Sequence, residues 1–394
     1  MNPEAWCDEI RTEWRSILQY WTLHAPDEKN GGFAGRIDEH DRPRYDAPKG
    51  LVLHSRILWT FSSASRLTGE GAYRPIADRA YEYLVGRFPD PVYDGAFWSL
   101  DASGAPLETR KQLYGQAFAL YGLSEYFMST GNPAALDKAI RFYRLIENYG
   151  YDPAGGGYFE AFSRDWTPLG DVRLSEKDAN EKKSMNTHLH VLEAYTNLYR
   201  AWPEPELRDR IRRLLEVFDL HIFQRSTSHL GLFFAGDWQL RSDTISFGHD
   251  IEAAWLLYEA AIAMDDAPWI TKTSDLAVRL ARAALEGLDT DGGLWYEREG
   301  ERLIREKHWW PQAEAMVGFL YAGLISGDDQ WVQRSARVWD FVKKYIRDPT
   351  GKEWYWGVRA DHSRMPGQDK AGFWKCPYHN SRACVEILRL LNRI

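Results

Sequence analysis

His190, His249 and His379 each lie near the start of an otherwise apolar, helix-like stretch, and two of them share a helical face with another polar group. Asn186 and His190 are four residues apart, as are Trp310 and Glu314, while His249 and Glu252 are three apart, so each pair would sit on one face of a helix. Imidazole titrates near neutrality, which suits it to take and return protons. Burying several imidazoles with Glu252 and Glu314 among apolar side chains costs several kcal/mol, roughly, unless the groups are paired or used. Arg56 stands among Leu51, Val52, Leu53, Ile57, Leu58 and Trp59 and needs a partner, either Glu314 or an oxyanion of a substrate. Tyr114 and Gln116 complete the set. The remaining histidines divide differently: His24, His40, His221, His229 and His362 read as structural, His308 as orienting or structural, and His188 as secondary to His190.

The chain contains 18 Trp, 21 Tyr and 17 Phe, and flat rings beside carboxylates and histidines suit the apolar C–H face of a pyranose. These features point to acid/base chemistry on a sugar.

Positions 56, 116, 190, 252, 314 and 379 recur at about sixty-residue steps, and so does a glycine-aromatic pattern. The latter runs Gly32-Phe33, Gly95-Ala96-Phe97-Trp98, Gly157-Tyr158-Phe159, Gly231-Leu232-Phe233-Phe234, Gly293-Leu294-Trp295-Tyr296, and Gly351 leading to Trp354-Tyr355-Trp356. Such a period marks a unit that cannot bury its apolar face alone and must stack on copies of itself. Three- and four-residue apolar steps predict an outer layer of amphipathic helices over Pro3–Trp21, Ala72–Arg87, Pro133–Tyr149, Glu206–Ile222, Ile270–Glu286 and Gln330–Tyr345. More uniformly apolar stretches predict an inner layer: Leu51–Arg66, Gln112–Met128, Ser184–Tyr199, His249–Met264, Trp310–Ser326 and His379–Leu391. Asn132-Pro133 and Pro203-Glu204-Pro205 read as helix starts, and the glycine turns as short β-hairpins. The expected fold is all-α: one (α/α)6 barrel of six helical hairpins over residues 1–394, with β-hairpins at one end. The widest interval, between Gly157 and Gly231, places a polar loop, Arg164–Lys183, over the mouth of the ring.

Hydrophobic residues at 44% and charged residues at 27% are those of a globular protein, and a net charge of -8 with interspersed signs argues against nucleic acid as a partner. No apolar window approaches a membrane span, the first fifteen residues lack a signal core, and three cysteines without a CxxC pair suit a reducing compartment as free thiols. The expectation is a cytoplasmic monomer or weak homodimer acting on a small-molecule sugar. HExxH and phosphate-binding glycine loops are absent, and the expectation is no metal and no nucleotide cofactor. A glycoside hydrolase using Glu252 and Glu314, or a non-catalytic sugar-binding protein, are the readings from other classes.

The segments KGLVLHSRILWTFS at 49–62, DANEKKSMNTHLHVLEAYT at 178–196, SFGHDIEAAWLL at 246–257, KHWWPQAEAMVG at 307–318 and GFWKCPYHNSRAC at 372–384 resemble the N-acylglucosamine 2-epimerase superfamily, and within it most closely the cellobiose 2-epimerases. The resemblance implies an (α/α)6 barrel and cofactor-free inversion at C2 of a reducing aldose. It implies His249 and His379 as the acid/base pair and His190 in ring opening. Arg56 and Asn186 would hold the reacting oxygens, Glu252 and Glu314 would tune or bind, Trp310 and Trp374 would stack on sugar, and Asp178 would contact the reducing sugar. Ala34 departs from the pattern, standing where an aromatic is usual. A mannose 2-epimerase or an aldose–ketose isomerase on the same scaffold is the nearest rival activity.

Overall fold

The computed structural model describes residues 3–350 and 352–391; the Gly351 turn expected above falls on a residue outside them. Among the described residues, twelve α-helices alternate between two layers. The outer ones are α1 (Pro3–His24), α3 (Arg74–Arg87), α5 (Pro133–Leu145), α7 (Pro205–Val217), α9 (Ala267–Ala284) and α11 (Asp329–Phe341). The inner ones are α2 (Leu51–Thr68), α4 (Leu113–Thr130), α6 (Met185–Ala201), α8 (Phe247–Ala263), α10 (Trp309–Ser326) and α12 (Tyr378–Leu390). Each inner helix packs on the next, and α12 returns to α2, which closes the ring and gives the (α/α)6 barrel. The closure is covered by α1 on α12, where Trp14 Nε1 donates to Ser381 Oγ at 2.8 Å and Trp354 Nε1 to Glu13 Oε1 at 2.7 Å.

Composition explains the layering. Helix α10 is buried from Trp309 to Gly323 on every side, because it is walled by its inner neighbours, an outer helix and the ring interior. Helix α7 buries only Leu207, Ile211, Leu214, Leu215 and Val217, a single stripe against the inner layer. Gly69, Gly131 and Gly327 end α2, α4 and α10 in the left-handed region, at φ 66°, 70° and 70°, where a side chain would clash. Outer helices α5, α7 and α11 do not run regularly to the ends predicted from periodicity. Each widens into a five-residue π-turn, Ile146–Gly150, Phe218–Ile222 and Val342–Ile346. The wider turn re-aims the chain into the glycine turn that follows, a change too short to alter the apolar period.

The glycine turns close by single bridges, Pro26 with Phe33, Pro89 with Ala96, Tyr151 with Tyr158, Phe223 with Leu230 and Leu288 with Leu294. True hairpins form a little further on, as in Ser99–Leu100 with Pro106–Glu108, and short ladders link successive repeats, as in Lys111–Gln112 with Ala161–Phe162. These bridges correct the expected register in the fourth unit. Leu230 is the counterpart of Phe33, so the turn is Ser228-His229, with Ser228 itself at φ 61°, and Gly231 lies two residues beyond it.

The fourth side chain of five inner helices, α2 to α10, reaches back to its turn. His54 Nε2 accepts from Phe33 N–H, Gln116 Oε1 from Ala96 N–H, His188 Nε2 from Tyr158 N–H, Asp250 Oδ1 from Leu230 N–H and Gln312 Oε1 from Leu294 N–H. Five residues ahead of four of these stands a wholly buried lysine that grips a turn aspartate: Lys49 with Asp27, Lys111 with Asp90, Lys183 with Asp152 and Lys307 with Asp289. In the fourth unit both charges are gone together. Ile245 replaces the lysine and Gln224 the aspartate, its amide donating to the carbonyls of His221 and Ile222.

A buried ion pair broken on one side leaves an uncompensated charge, worth roughly 3–5 kcal/mol. Lys183→Met should therefore lower unfolding free energy by about that amount in urea titrations. The double variant Asp152→Gln, Lys183→Ile, which copies the fourth unit, should recover at least half of the loss. A double variant no more stable than the single one would refute this account of the pair.

Candidate active site

Fixing the fourth residue of these five inner helices against its turn also fixes which residues face the ring axis. One residue further along turns a helix by about 100°, so two residues turn it to nearly the opposite side. Counting two beyond His54, Gln116, His188, Asp250 and Gln312 gives Arg56, Phe118, His190, Glu252 and Glu314. On α12, whose buried lysine Lys375 pairs with Glu353, the residue in that phase is Arg382, as far beyond Lys375 as Arg56 is beyond Lys49. These six converge. The Arg56 guanidinium lies 4.2 Å from the Phe118 ring centre, the Phe118 and His190 rings are 4.9 Å apart, and Arg382 Nη2 donates to Glu252 Oε1 and Glu314 Oε1, each at 2.7 Å.

The layer nearer the helix starts carries Tyr114, Asn186, Trp310 and Tyr378, four residues before the layer just described. Tyr114 accepts from Arg56 Nη2 at 2.8 Å through its hydroxyl, and its ring lies 5.0 Å from His190 and 5.9 Å from Trp374. Arg56 Nη1 also donates to the Trp374 carbonyl at 3.3 Å. Asn186 is half-buried, and its Oδ1 is buried without a hydrogen-bond partner. His249 and His379 occupy one and the same repeat position on α8 and α12, and Trp310, from the helix between, meets both, with ring centres 4.7 and 5.7 Å away.

Each imidazole is backed differently. His190 Nδ1 is 2.8 Å from Glu193 Oε2, His379 Nδ1 is 2.7 Å from Glu314 Oε1, and His249 Nδ1 is 2.8 Å from Ser246 Oγ. With Nδ1 engaged, Nε2 is the nitrogen left for chemistry. Burial depresses all three: His249 to about 3, with further repulsion from His190, and His379 well below its ordinary value, with repulsion from Arg56 and Arg382. His190 is also lowered by burial, against the pull of Glu193. Three neutral imidazoles therefore share one site. Glu252 and Glu314 are raised, first by burial; at Glu252 repulsion from Glu314 adds to it, and the Arg382 guanidinium opposes the shift at both.

Glu252, Glu314 and His379 bring three potential metal ligands together. The Arg382 guanidinium, donating to both carboxylates, already takes the place between them that a cation would hold.

Sequence reasoning placed Gln116 with the convergent residues, and the structure moves it to the turn, where its Nε2 also donates to the Ala96 carbonyl at 3.0 Å. His188 and His54 do the same work. Their Nδ1 must donate to the carbonyls of Ser184 and Gly50, and their Nε2 must accept from a peptide N–H, which holds both rings neutral, at about 4 and about 3, through burial. His308 lies at the rim, stacked on Tyr296 at 4.1 Å with Nε2 3.1 Å from Glu306. His24, His40, His221, His229 and His362 pack or pair elsewhere; His229, for instance, bonds Asp250 at 2.7 Å. Ala34 is buried, its amide bonded to the Ala25 carbonyl.

Asp178 is half-buried and accepts from Ser175 N–H and Oγ. Its loop is held at one side by Gln112 Nε2 on the Arg173 carbonyl at 2.9 Å, and at the other its charge acts on Tyr296 and Glu297. Gln112 belongs to the second repeat and Tyr296 and Glu297, close enough to feel the Asp178 charge, to the fifth, opposite it in a ring of six, so the loop reaches across the mouth as the polar segment suggested. Sequence reasoning missed Phe118, Glu193, Ser246 and Arg382; adding the repeat length to Arg56 in phase would have found Phe118 and Arg382.

A carboxyl held protonated only in the folded state makes stability fall as pH rises from the ordinary carboxylate range, because the native state then binds the extra proton. Glu252→Gln removes that term. Its stability relative to wild type should rise between pH 5 and pH 8 by on the order of 1 kcal/mol or more in urea unfolding; a difference constant with pH would contradict the raised values.

Comparison with known proteins adds a lineage to this geometry. A family profile described as N-acylglucosamine 2-epimerase (GlcNAc 2-epimerase) matches residues 31–383. A cellobiose 2-epimerase of Bacteroides fragilis is 46% identical over 374 residues, 94% of this chain and 95% of its own. Among solved structures, a cellobiose 2-epimerase from Bacillus thermoamylovorans superposes with a TM-score of 0.93 at 39% identity, over 98% of this chain and 100% of its own. A D-mannose isomerase superposes with a TM-score of 0.84 at 22% identity, covering 97% of each chain, a likeness of fold.

Proposed function

The chain belongs to the N-acylglucosamine 2-epimerase family, and from that premise we propose that it inverts C2 of the reducing sugar in a β-linked disaccharide of the cellobiose or lactose type, exchanging glucose and manno configurations. It is a sugar 2-epimerase, an isomerase. The observation that carries the mechanism is the pair of equivalent histidines, His249 and His379, flanking Trp310 beside Arg56 and His190.

A C2 proton is removable only when C1 is a carbonyl, so the pyranose opens first. The O1 proton leaves, the C1–O5 bond breaks, and O5 gains a proton; His190, with Glu193 behind it, is the group for this exchange. Neutral His249 or His379 then takes the C2 proton, and the electron pair forms the C1–C2 double bond of a cis-enediolate. Arg56 and Asn186 hold the two oxygens, the guanidinium offsetting the developing charge where water is excluded. The unpartnered Asn186 Oδ1, an acceptor, supports a hydrogen bond from the hydroxyl on C2, while Arg56 donates to the charged oxygen. Delivery of a proton to the opposite face of C2 by the other histidine inverts the centre, and the two exchange roles in reverse. Oxidation level is conserved, so the step needs no redox cofactor. Trp310 and Trp374 serve as stacking faces, with Tyr114 and Asp178 as further substrate contacts.

Returning the proton to C1 instead would yield a ketose, the outcome of an aldose–ketose isomerase. A hydrolase reading is disfavoured because Glu252 and Glu314 are both bound to Arg382, which leaves no free carboxyl pair to flank a glycosidic bond. We take the whole chain as one catalytic domain, working in the cytoplasm as a monomer or weak homodimer. The buried thiols Cys376 and Cys384 suit that compartment, and among the described residues no helix is long and apolar enough to cross a membrane.

In heavy water the product should carry deuterium at C2, read by NMR. His249→Ala and His379→Ala should each lower kcat by about 10²–10⁴-fold. Product without label, or full activity in either variant, would remove that residue from proton transfer. Chromatography should find glucosylmannose from cellobiose; conversion of free mannose or glucose alone would move the assignment to a monosaccharide enzyme, and a ketose product to an isomerase.

A further inference from the structure

Arg382 is 1% exposed, and none of the steps above uses it. Its Nη1 donates to Glu193 Oε1 and lies against the Tyr378 hydroxyl, while its Nη2 donates to Glu252 and Glu314. The guanidinium also lies on the faces of Tyr378 at 4.2 Å and Trp255 at 4.8 Å. Glu193 holds His190 with its other oxygen, and Glu314 holds His379 with the oxygen that Arg382 binds. The result is one continuous chain of contacts: His190, Glu193, Arg382, Glu314, His379. We propose that Arg382 is a positioning residue that makes the proton states of His190 and His379 interdependent, so that a proton on one imidazole opposes a proton on the other.

Charge count supports the coupling. Glu193, Glu252 and Glu314 are three carboxyls against the two positive charges of Arg382 and Arg56, so one proton, the one held at Glu252, neutralises the cluster, and a further proton on either imidazole overcharges it in apolar surroundings and opposes a proton on the other. His190 faces Glu193 on its own helix, Tyr114 and Phe118 on α4, Arg56 on α2 and Arg382 on α12. His379 faces Glu314 on α10 and, at 3.9 Å, Glu252 on α8, and it feels the charges of His190 and Arg56. Each ring is thus tied to its own carboxylate, and one guanidinium joins the two. In turnover, a proton held at His190 during ring opening would keep His379 unprotonated and ready to receive one from C2. That consequence rests on the acid/base reading above; the coupling is measurable without turnover.

The test is a titration of the ¹⁵N-labelled histidine rings by NMR in wild type, His190→Asn, His379→Asn, Arg382→Lys and Arg382→Met. Removing one imidazole should raise the midpoint of the other by about one pH unit. Arg382→Met, with a positive charge lost, should raise both midpoints. Arg382→Lys, keeping charge without the fork, should leave them near wild type while kcat falls at least about tenfold, with KM within a few-fold. A His379 midpoint that fails to rise in both His190→Asn and Arg382→Met, including one below the acid unfolding limit throughout, overturns the proposal. If Arg382→Met does not fold, His190→Asn alone decides. Failure of the epimerase reading would appear instead as no product from wild type, with these titrations unchanged.

Discussion

A helix free to rotate about its axis would spread its polar side chains around the ring, and in five of the inner helices a hydrogen bond between the fourth residue and the turn ahead of it removes that freedom. His54, Gln116, His188, Asp250 and Gln312 are chemically different, yet each presents an acceptor to one peptide N–H at the same place. A buried peptide N–H left unpaired costs about 1–3 kcal/mol, so the turn and the helix start cannot readily slip past each other. The residues that α2, α4, α6, α8 and α10 send to the axis inherit their direction from this contact, while α12 is fixed by α1 and by the Lys375–Glu353 pair.

Two sets of buried charges follow from that rigidity, and they do opposite things. At the turns, Lys49, Lys111, Lys183 and Lys307 meet aspartates in buried ion pairs that fix position, with Asp291 joining at Lys307 and Arg164 at Asp90. On the axis, three carboxylates meet one shared guanidinium, and the excess negative charge has to be met by a proton or by Arg56. The first arrangement makes a scaffold. The second keeps protons mobile next to imidazoles that burial holds neutral, which is the condition a general base at neutral pH requires.

Apolar period and the glycine-aromatic recurrence were enough to read twelve helices, two layers and a closed ring, because stacking of a repeat is dictated by what the single unit cannot bury. They were also enough to choose His190, His249, His379, Arg56, Glu252 and Glu314, since ionisable groups on otherwise apolar helices stand out. They were not enough to set phase. Gln116 lies only two residues from Phe118, yet those two residues separate the turn from the axis. Arg382 was missed as well, because an arginine between Ser381 and Ala383 reads locally as a solvated residue until it is set in phase with Arg56 and α1 is seen to cover α12.

The linear order of residues by itself determined the kind of architecture and the reagents available to it, because both depend on side-chain type and period along one helix. The tertiary structure alone decided which reagents meet: that His249 and His379 flank Trp310, and that one guanidinium from α12 ties the carboxylates of α6, α8 and α10. Those meetings depend on the rotation of six separate helices and on closure between the two ends of the chain, and neither quantity is a property of any local stretch.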